Sequence, residues 1–289
     1  MTATHEPASI PLTLGGRRAL SRLPWWALLL AAIGLLMVYM ILSDQNYQET
    51  FRFLQVGVIT TLRMTLIAFP IATVIGLFTG LARTSKNVFL FNLSTLYVET
   101  IRGIPLIVII LYIAFGIVPV TIEVMHALGE WGLSWADGTI IAGIFQWFAS
   151  FSIRSISQEL RAIIALAIGY GAFEAEVFRA GIESIGKGQM EAARSLGMNY
   201  MQAMRYIILP QAVRRVLPPL GNDFIALLKD SSLATVLAVP ELTQLGRLRR
   251  ASTFRYLETF NVVAFLYLAM TLLLSAGVRA LERFLSYED

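Results

Sequence analysis

Ile185-Gly-Lys-Gly-Gln-Met-Glu-Ala-Ala-Arg-Ser-Leu-Gly-Met-Asn-Tyr-Met-Gln-Ala-Met-Arg-Tyr-Ile-Ile-Leu-Pro210 is a polar, basic interlude in an otherwise apolar chain. Good helix formers from Gln189 to Leu196 place Met190, Ala193 and Leu196/Gly197 on one side, while Glu191 and Arg194, three residues apart, share another. Gly197 is expected to end the helix in a left-handed conformation. Apolar runs flank the stretch on both sides, so it reads as a short amphipathic helix held between two membrane spans, suited to insert into a groove on a soluble partner.

The flanking composition sets the class. Of 289 residues, 56% are apolar and 15% charged, and the mean hydropathy is +0.67, outside the range of soluble globular domains. Runs long enough to cross about 30 Å of hydrocarbon lie at Trp25–Leu42, Val56–Ala82, Leu96–Val118, Arg161–Ala180, Ala212–Ala238 and Thr259–Leu281. The fold class is therefore an all-α integral membrane protein with six transmembrane helices. Arg17, Arg18 and Arg22 precede the first run, and Tyr39-Met-Ile-Leu-Ser-Asp-Gln-Asn46 offers no small-x-small cleavage site, so it reads as a retained anchor behind a cytoplasmic tail, residues 1–24. Thr139–Ile153 is too short for a seventh span and is expected at the membrane surface or packed inside an external insertion, 119–158. Parity agrees, because a seventh crossing would move the six basic residues between Arg179 and Arg215 outside. Six crossings leave both termini cytoplasmic. Arg247, Arg249, Arg250 and Arg255 then fall outside against the rule, as a solvated loop or as an electrostatic docking surface for an external partner.

Other chemistry is excluded or weak. There are no cysteines and two histidines, His5 and His126, so neither thiolate nor histidine metal sites are expected, and no nucleophile–base pairing is available for catalysis. The net charge of +4 belongs to residues at membrane faces; no basic run sits in a polar, foldable domain, which argues against nucleic acid. Gly181-Ile-Glu-Ser-Ile-Gly-Lys187 mimics a phosphate loop, but Gly188 stands where a hydroxyl must hold magnesium and a transmembrane helix precedes it where a strand is needed. Gly76-Leu-Phe-Thr-Gly80 reads as a helix-packing pattern.

Glu191-Ala192-Ala193, Gly197, Ile207 and Leu209-Pro210, at this spacing, resemble the EAA loop of ABC importer permeases. Arg102-Gly-Ile-Pro-Leu106, Gly171-Ala-Phe-Glu-Ala-Glu176 with Phe178-Arg179, Leu209-Pro-Gln-Ala-Val213, Leu217-Pro-Pro-Leu-Gly-Asn-Asp223 and Leu227-Leu-Lys-Asp-Ser-Ser-Leu233 resemble the polar amino-acid branch of that family. The likeness covers roughly residues 56–118 and 161–284, within a permease domain spanning 56–284; the helix at 25–42 and the insertion at 119–158 are departures from its five-helix core. The resemblance implies that the loop 185–210 is a coupling helix docking on an ATPase, with Glu191, Ala192, Ala193, Gly197, Ile207, Leu209 and Pro210 as coupling residues. It also implies two ATPase subunits that bind the ATP and magnesium, a second permease subunit, identical or different, an external solute-binding protein, and a bacterial cytoplasmic membrane location. The chain itself would hold no cofactor. An ATP-independent secondary transporter or channel is the alternative, and co-purification of an ATPase discriminates between them.

Charges inside the hydrocarbon cost about 2.5 to 3.5 kcal/mol at a helix centre and therefore face protein or water. Glu99 and Arg102, at i and i+3, can pair, as can Glu176 and Arg179. Two residues along a helix rotate a side chain by about 200°, so Glu174 and Glu176 point to opposite sides. Counted from the helix ends, Glu174 and Asp223 lie near the midplane, and Pro218-Pro219 with Gly221 are expected to interrupt the fifth span just before Asn222 and Asp223. Glu174, Asn222, Asp223 and Arg102 form the candidate substrate-lining set; the competing reading makes Glu174 and Asp223 satisfied interhelical partners, paired with Arg102, Lys229 or another span.

Overall fold

A computed structural model describes residues 25–136 and 138–286; the tail 1–24 lies outside the described residues. Among them every regular element is helical. Helix α1 (Trp25–Ser43) is separated from α2 (Gln45–Arg83) by Asp44 alone, whose carboxylate accepts the backbone N–H groups of Asn46 and Tyr47 and starts the second helix. The chain continues through α3 (Val88–Gly103), α4 (Leu106–Tyr112), a π turn at Ile113–Ile117, α5 (Val118–Ala136), α6 (Ala142–Ala149) and α7 (Gln158–Glu183). The loop elements α8 (Lys187–Ser195) and α9 (Tyr200–Ala203) lead by a second π turn, Met204–Ile208, into α10 (Leu209–Asp230). A 3₁₀ segment, Ser231–Leu237, precedes α11 (Leu242–Thr253) and α12 (Tyr256–Ser286).

Among the described residues four helical runs are long and apolar enough to cross a membrane: Trp25–Ser43, Gln45–Arg83, Leu106–Ala136 and Tyr256–Arg283. The remaining expected spans, α7 and α10, have 26 and 22 residues but carry the charges that concern function. The third run is not one helix from Leu96 to Val118. Pro105 has no N–H and drives Ile104 into an extended conformation (φ −109°, ψ 136°), so α3 ends at Gly103 and a new helical run begins at Leu106. That run carries on to Ala136, so 119–158 starts inside a helix and folds back as a hairpin. Helix α6 returns along α5 at two glycines: a Cβ at Gly129 would fall 2.3 Å from the Ala149 nitrogen, and one at Gly132 would fall 1.9 Å from the Phe145 ring.

Helix α7 is the centre of the bundle, and α2 lies along it in parallel. Arg63 pairs with Glu159 at one end (Nε–Oε1 2.8 Å) and Arg83 with Glu176 at the other (2.8 Å). Between them Gly76 and Gly80 let the backbones touch, since a Cβ at Gly80 would lie 2.8 Å from Ala175 O and from Phe178 Cβ. Glu159, at the end of the insertion, is thus held by the α2 guanidinium. Met64, Ala68 and Ala72 of α2, Ile110 of α4, Leu166 of α7 and Leu227 of α10 close the core around this seam. A second cluster joins Met37 and Ile41 of α1 to Leu54, Leu242, Val262 and Leu266. Most of the other α1 side chains face outward, as expected where lipid replaces a protein neighbour.

Candidate functional site

The loop 185–210 is held by its own small core. Ile185, Ile208 and Ala212 are buried together, with Met190, Met204 and Ile207 packed on them. Arg215 on α10 donates to the carbonyl of Ser184, tying the start of the loop to its end. Helix α8 terminates where Gly197 adopts φ +85°: Met198 N–H bonds Ala193 O at 3.1 Å and Gly197 N–H bonds Arg194 O at 3.0 Å, a Schellman closure. Asn199 and Gln202 then form a reciprocal capping box, each accepting the other's backbone N–H at 2.9 Å.

The side-chain placement separates the coupling candidates into two groups. Glu191, Ala192, Leu196, Gly197, Leu209 and Pro210 are exposed, Leu196 to 81%, whereas Ala193 is 4% exposed and Ile207 belongs to the loop core. Met190 and Ala193 therefore pack inward, and Leu196, beyond the last helical residue, turns outward; the side shared by Met190, Ala193 and Leu196 in sequence is split by the left-handed turn. The phosphate-loop mimic starts in the last turn of α7 and runs to the first residue of α8; at its start Gly181 makes room for Val216, whose Cγ2 would lie 2.2 Å from an added Cβ.

Where α2 ends against α3 and α7, an ion-pair network keeps the expected Glu176–Arg179 pair but not the pair of Glu99 with Arg102. Arg83 bonds Glu176 at 2.8 Å and Glu99 at 3.2 Å, and Arg179 bonds Glu176 and Glu183. Glu99 thus pairs with Arg83 rather than Arg102, because the end of α2 inserts between α3 and α7. Arg102 is exposed and its charge reaches Glu176, not Glu174.

Glu174 on α7 and Asp223 on α10 lie near enough across the seam between these helices for their charges to interact. Glu174 is fully buried, and neither of its carboxylate oxygens has a hydrogen-bond partner; the nearby Thr73 hydroxyl donates instead to Phe69 O at 2.9 Å. Asp223 is half-buried with Oδ2 enclosed and likewise unpartnered, while Asn222 is exposed. No ion pair joins Arg102 or Lys229 to either carboxylate among the described residues. Two turns further along α10, Asp230 accepts a 2.8 Å hydrogen bond from the Tyr170 hydroxyl, a contact that sequence reading missed. Its signal was the spacing: 170 and 174 lie on one face of α7, 223 and 230 on one face of α10. Contrary to expectation, α10 runs unbroken through Pro218, Pro219 and Gly221. Gly221 serves close packing, its added Cβ falling 2.4 Å from Val278 Cγ1, and the break comes later, at Ser231–Glu241, where Ala238 is left-handed (φ 56°).

On the opposite side the arginine-rich segment is the helix α11 rather than a loop. Glu241, fully buried, caps it by accepting the N–H groups of Thr243 and Gln244 at 2.7 Å and the Tyr267 hydroxyl at 3.1 Å. Arg249 pairs with Glu49 at 3.0 Å and Arg247 reaches Thr235 at 3.3 Å; Arg247, Arg250 and Arg255 are exposed.

A bundle of apolar helices with a capped polar loop between two of them and a charged seam inside is the architecture of a membrane permease. The chain belongs to the family of binding-protein-dependent transport system inner membrane components, whose model matches residues 72–287. It is 35% identical over 227 residues to the glutamine transport system permease protein GlnP of Escherichia coli (strain K12), covering 78% of this chain and 90% of that one. To the probable glutamine ABC transporter permease protein GlnM of Bacillus subtilis (strain 168) it is 39% identical, with 78% and 90% covered. Among solved structures, an amino acid ABC transporter with histidines superposes with a TM-score of 0.64 at 34% identity, covering 84% of this chain and 97% of that one. The chain is thus the permease component of an ABC importer, and its relatives are transport proteins rather than enzymes.

Proposed function

We propose that this permease imports polar amino acids, with a preference for cationic ones, through a path that includes the α7–α10 seam. The carrying observation is that Glu174 of α7 and Asp223 of α10 both enclose carboxylate oxygens without a partner, close enough for their charges to interact, and that among the described residues no ion pair engages either. Two enclosed carboxylates favour an incoming ammonium or guanidinium and repel acidic substrates, each charge-assisted hydrogen bond contributing about 1.5 to 3 kcal/mol. Relatives that carry glutamine, and a solved relative described with histidines, support the amino-acid class.

In this reading the chain pairs with a second permease subunit, identical or different, and both dock on two cytoplasmic ATPases that bind ATP and magnesium. Substrate arrives on an external binding protein, and both termini lie in the cytoplasm. Closure of the ATPases on ATP pushes the coupling helix, rotates α7 and α10, and opens the seam outward; hydrolysis reverses the motion.

Transport by the reconstituted complex tests the assignment. Glu174→Gln and Asp223→Asn should selectively reduce uptake of L-arginine, L-lysine or L-histidine relative to L-glutamine, with ATPase co-purification retained. Equal loss for all substrates, or none, overturns the cationic preference.

A further inference from the structure

Helix α5 carries three faces. Ile122, Gly129, Gly132 and Ala136 are buried, the two glycines under α6. Glu123, His126 and Glu130 line an open groove against Ser150, Phe151 and Ser152. On the third face Val120, Val124, Leu128, Trp131 and Trp135, three or four residues apart, are all exposed and fall within about 80° of arc. The stripe reaches α6 through aromatic rings, with centroids 5.7 Å apart from Trp131 to Trp135 and 5.3 Å apart from Trp135 to Phe145. With the exposed Trp147 of α6, three of the chain's five tryptophans stand on this hairpin, and tryptophans collect where hydrocarbon meets water.

The level of the hairpin follows from two contacts at the start of α7. Arg161 donates to Ala114 O at 3.2 Å, so the π turn passes α7 there, and α5 continues from that point to pack on α6. Arg63 of α2 pairs with Glu159 at the same end. Because α2 and α7 run in parallel, the part of α2 before Arg63 lies beyond the start of α7, and that part carries α1: Met37 and Ile41 cluster with Leu54. Helix α1 has 19 residues, no charged side chain and only Met37 and Ile41 buried, so hydrocarbon must surround it. Hydrocarbon therefore extends past the start of α7, to the side on which α5 lies. A stripe kept for a soluble protein would stand in water between encounters, whereas lipid covers it throughout.

We propose that the hairpin α5–α6 is seated in lipid, in the leaflet opposite the loop 185–210, which leaves the other end of α7 at Glu183. Acyl chains cover the stripe, the tryptophans mark its border with the headgroups, and Glu123, His126 and Glu130 face water. The segment 119–158 is then a membrane-seated wedge continuous with Leu106–Ala136, the most apolar of the four long runs.

The chain has no cysteine, so single cysteines report each face. In the permease–ATPase complex in nanodiscs, Val124→Cys and Leu128→Cys should stay unlabelled by a membrane-impermeant maleimide, while Glu123→Cys and Glu130→Cys should label fully; all four should label once the complex is denatured. A second measurement identifies what covers the stripe. In nanodiscs of acyl-brominated phosphatidylcholine the tryptophan fluorescence of a Trp25→Phe, Trp26→Phe complex should fall relative to unbrominated lipid, and that fall should shrink when Trp131, Trp135 and Trp147 are also replaced by Phe. Full labelling of Val124→Cys and Leu128→Cys places the stripe in water, and protection without quenching of the hairpin tryptophans places a protein over it; either result overturns the proposal.

Discussion

Gly76 lies so close to Glu174 that a Cβ added to the glycine would stand 2.7 Å from the Glu174 Cβ. The glycine lies against the Cβ of Glu174 and the backbone of Glu174 and Ala175. It brings α2 against α7 and seals one side of a buried carboxylate, so the small residue determines both a helix crossing and the environment of a charge.

Replacing Gly76 should therefore be costly. Gly76→Val is expected to lower stability by about 1 to 3 kcal/mol through overpacking, because the opposing atoms include the backbone nitrogen of Ala175. Gly34→Val on α1, where no atom lies within 4 Å, should change it little. Thermal unfolding of the purified variants in one detergent checks the pair; equal shifts would mean that the close approach is not a strong constraint.

In the loop 185–210, proposed to dock on the ATPase, the exposed and buried positions should separate. Leu196→Asp should leave membrane insertion and the loop fold intact but abolish ATPase co-purification and substrate-stimulated ATP hydrolysis. Gly197→Asp should do the same with an added cost of about 1 kcal/mol for a side chain at φ +85°. Ala193→Glu should damage the loop itself, read as faster proteolysis between residues 185 and 210, since Ala193 is 4% exposed. Normal stimulated turnover in the Leu196 variant would remove that surface from the interface.

The arginines of α11 and Arg255 should divide as their contacts do. Neutralising Arg247, Arg250 and Arg255 together should weaken association of the external binding protein most at low ionic strength, because charges at an interface rim act on encounter rate. Arg249→Gln should spare association, since Arg249 is engaged by Glu49. A salt titration of binding-protein affinity that shows no difference for the triple variant would reduce these arginines to a solvated surface.

Tyr170→Phe removes the donor to Asp230 and leaves a half-buried carboxylate short of a partner, an expected loss of about 1 to 3 kcal/mol in stability. Asp230→Asn, which can still accept from the hydroxyl, should cost less. Comparison of the unfolding temperatures of the two variants decides whether the contact is structural.

Features set by neighbours within one or two helical turns were legible in the sequence. The apolar runs follow from length and composition, and the end of α8 follows from Gly197, where the local chain needs a left-handed residue. The Glu176–Arg179 pair lies within one turn and forms. What only the tertiary structure decided is which faces meet. Arg83 reaches Glu176 across 93 residues and takes Glu99 from the nearer Arg102, because α2 ends between α3 and α7. Pro218 and Pro219 look like a break, yet α10 passes through them unbroken, and the chain turns only after Asp230, where Tyr170 of α7 holds that carboxylate. Likewise Ala193 and Leu196 share a face in an ideal helix but part when the turn at Gly197 sends one inward and the other out. A sequence specifies periodicity through local sterics and hydrogen bonds; the partner of each face depends on packing between segments far apart in the chain, where one small residue such as Gly76 admits a neighbour that any side chain would exclude.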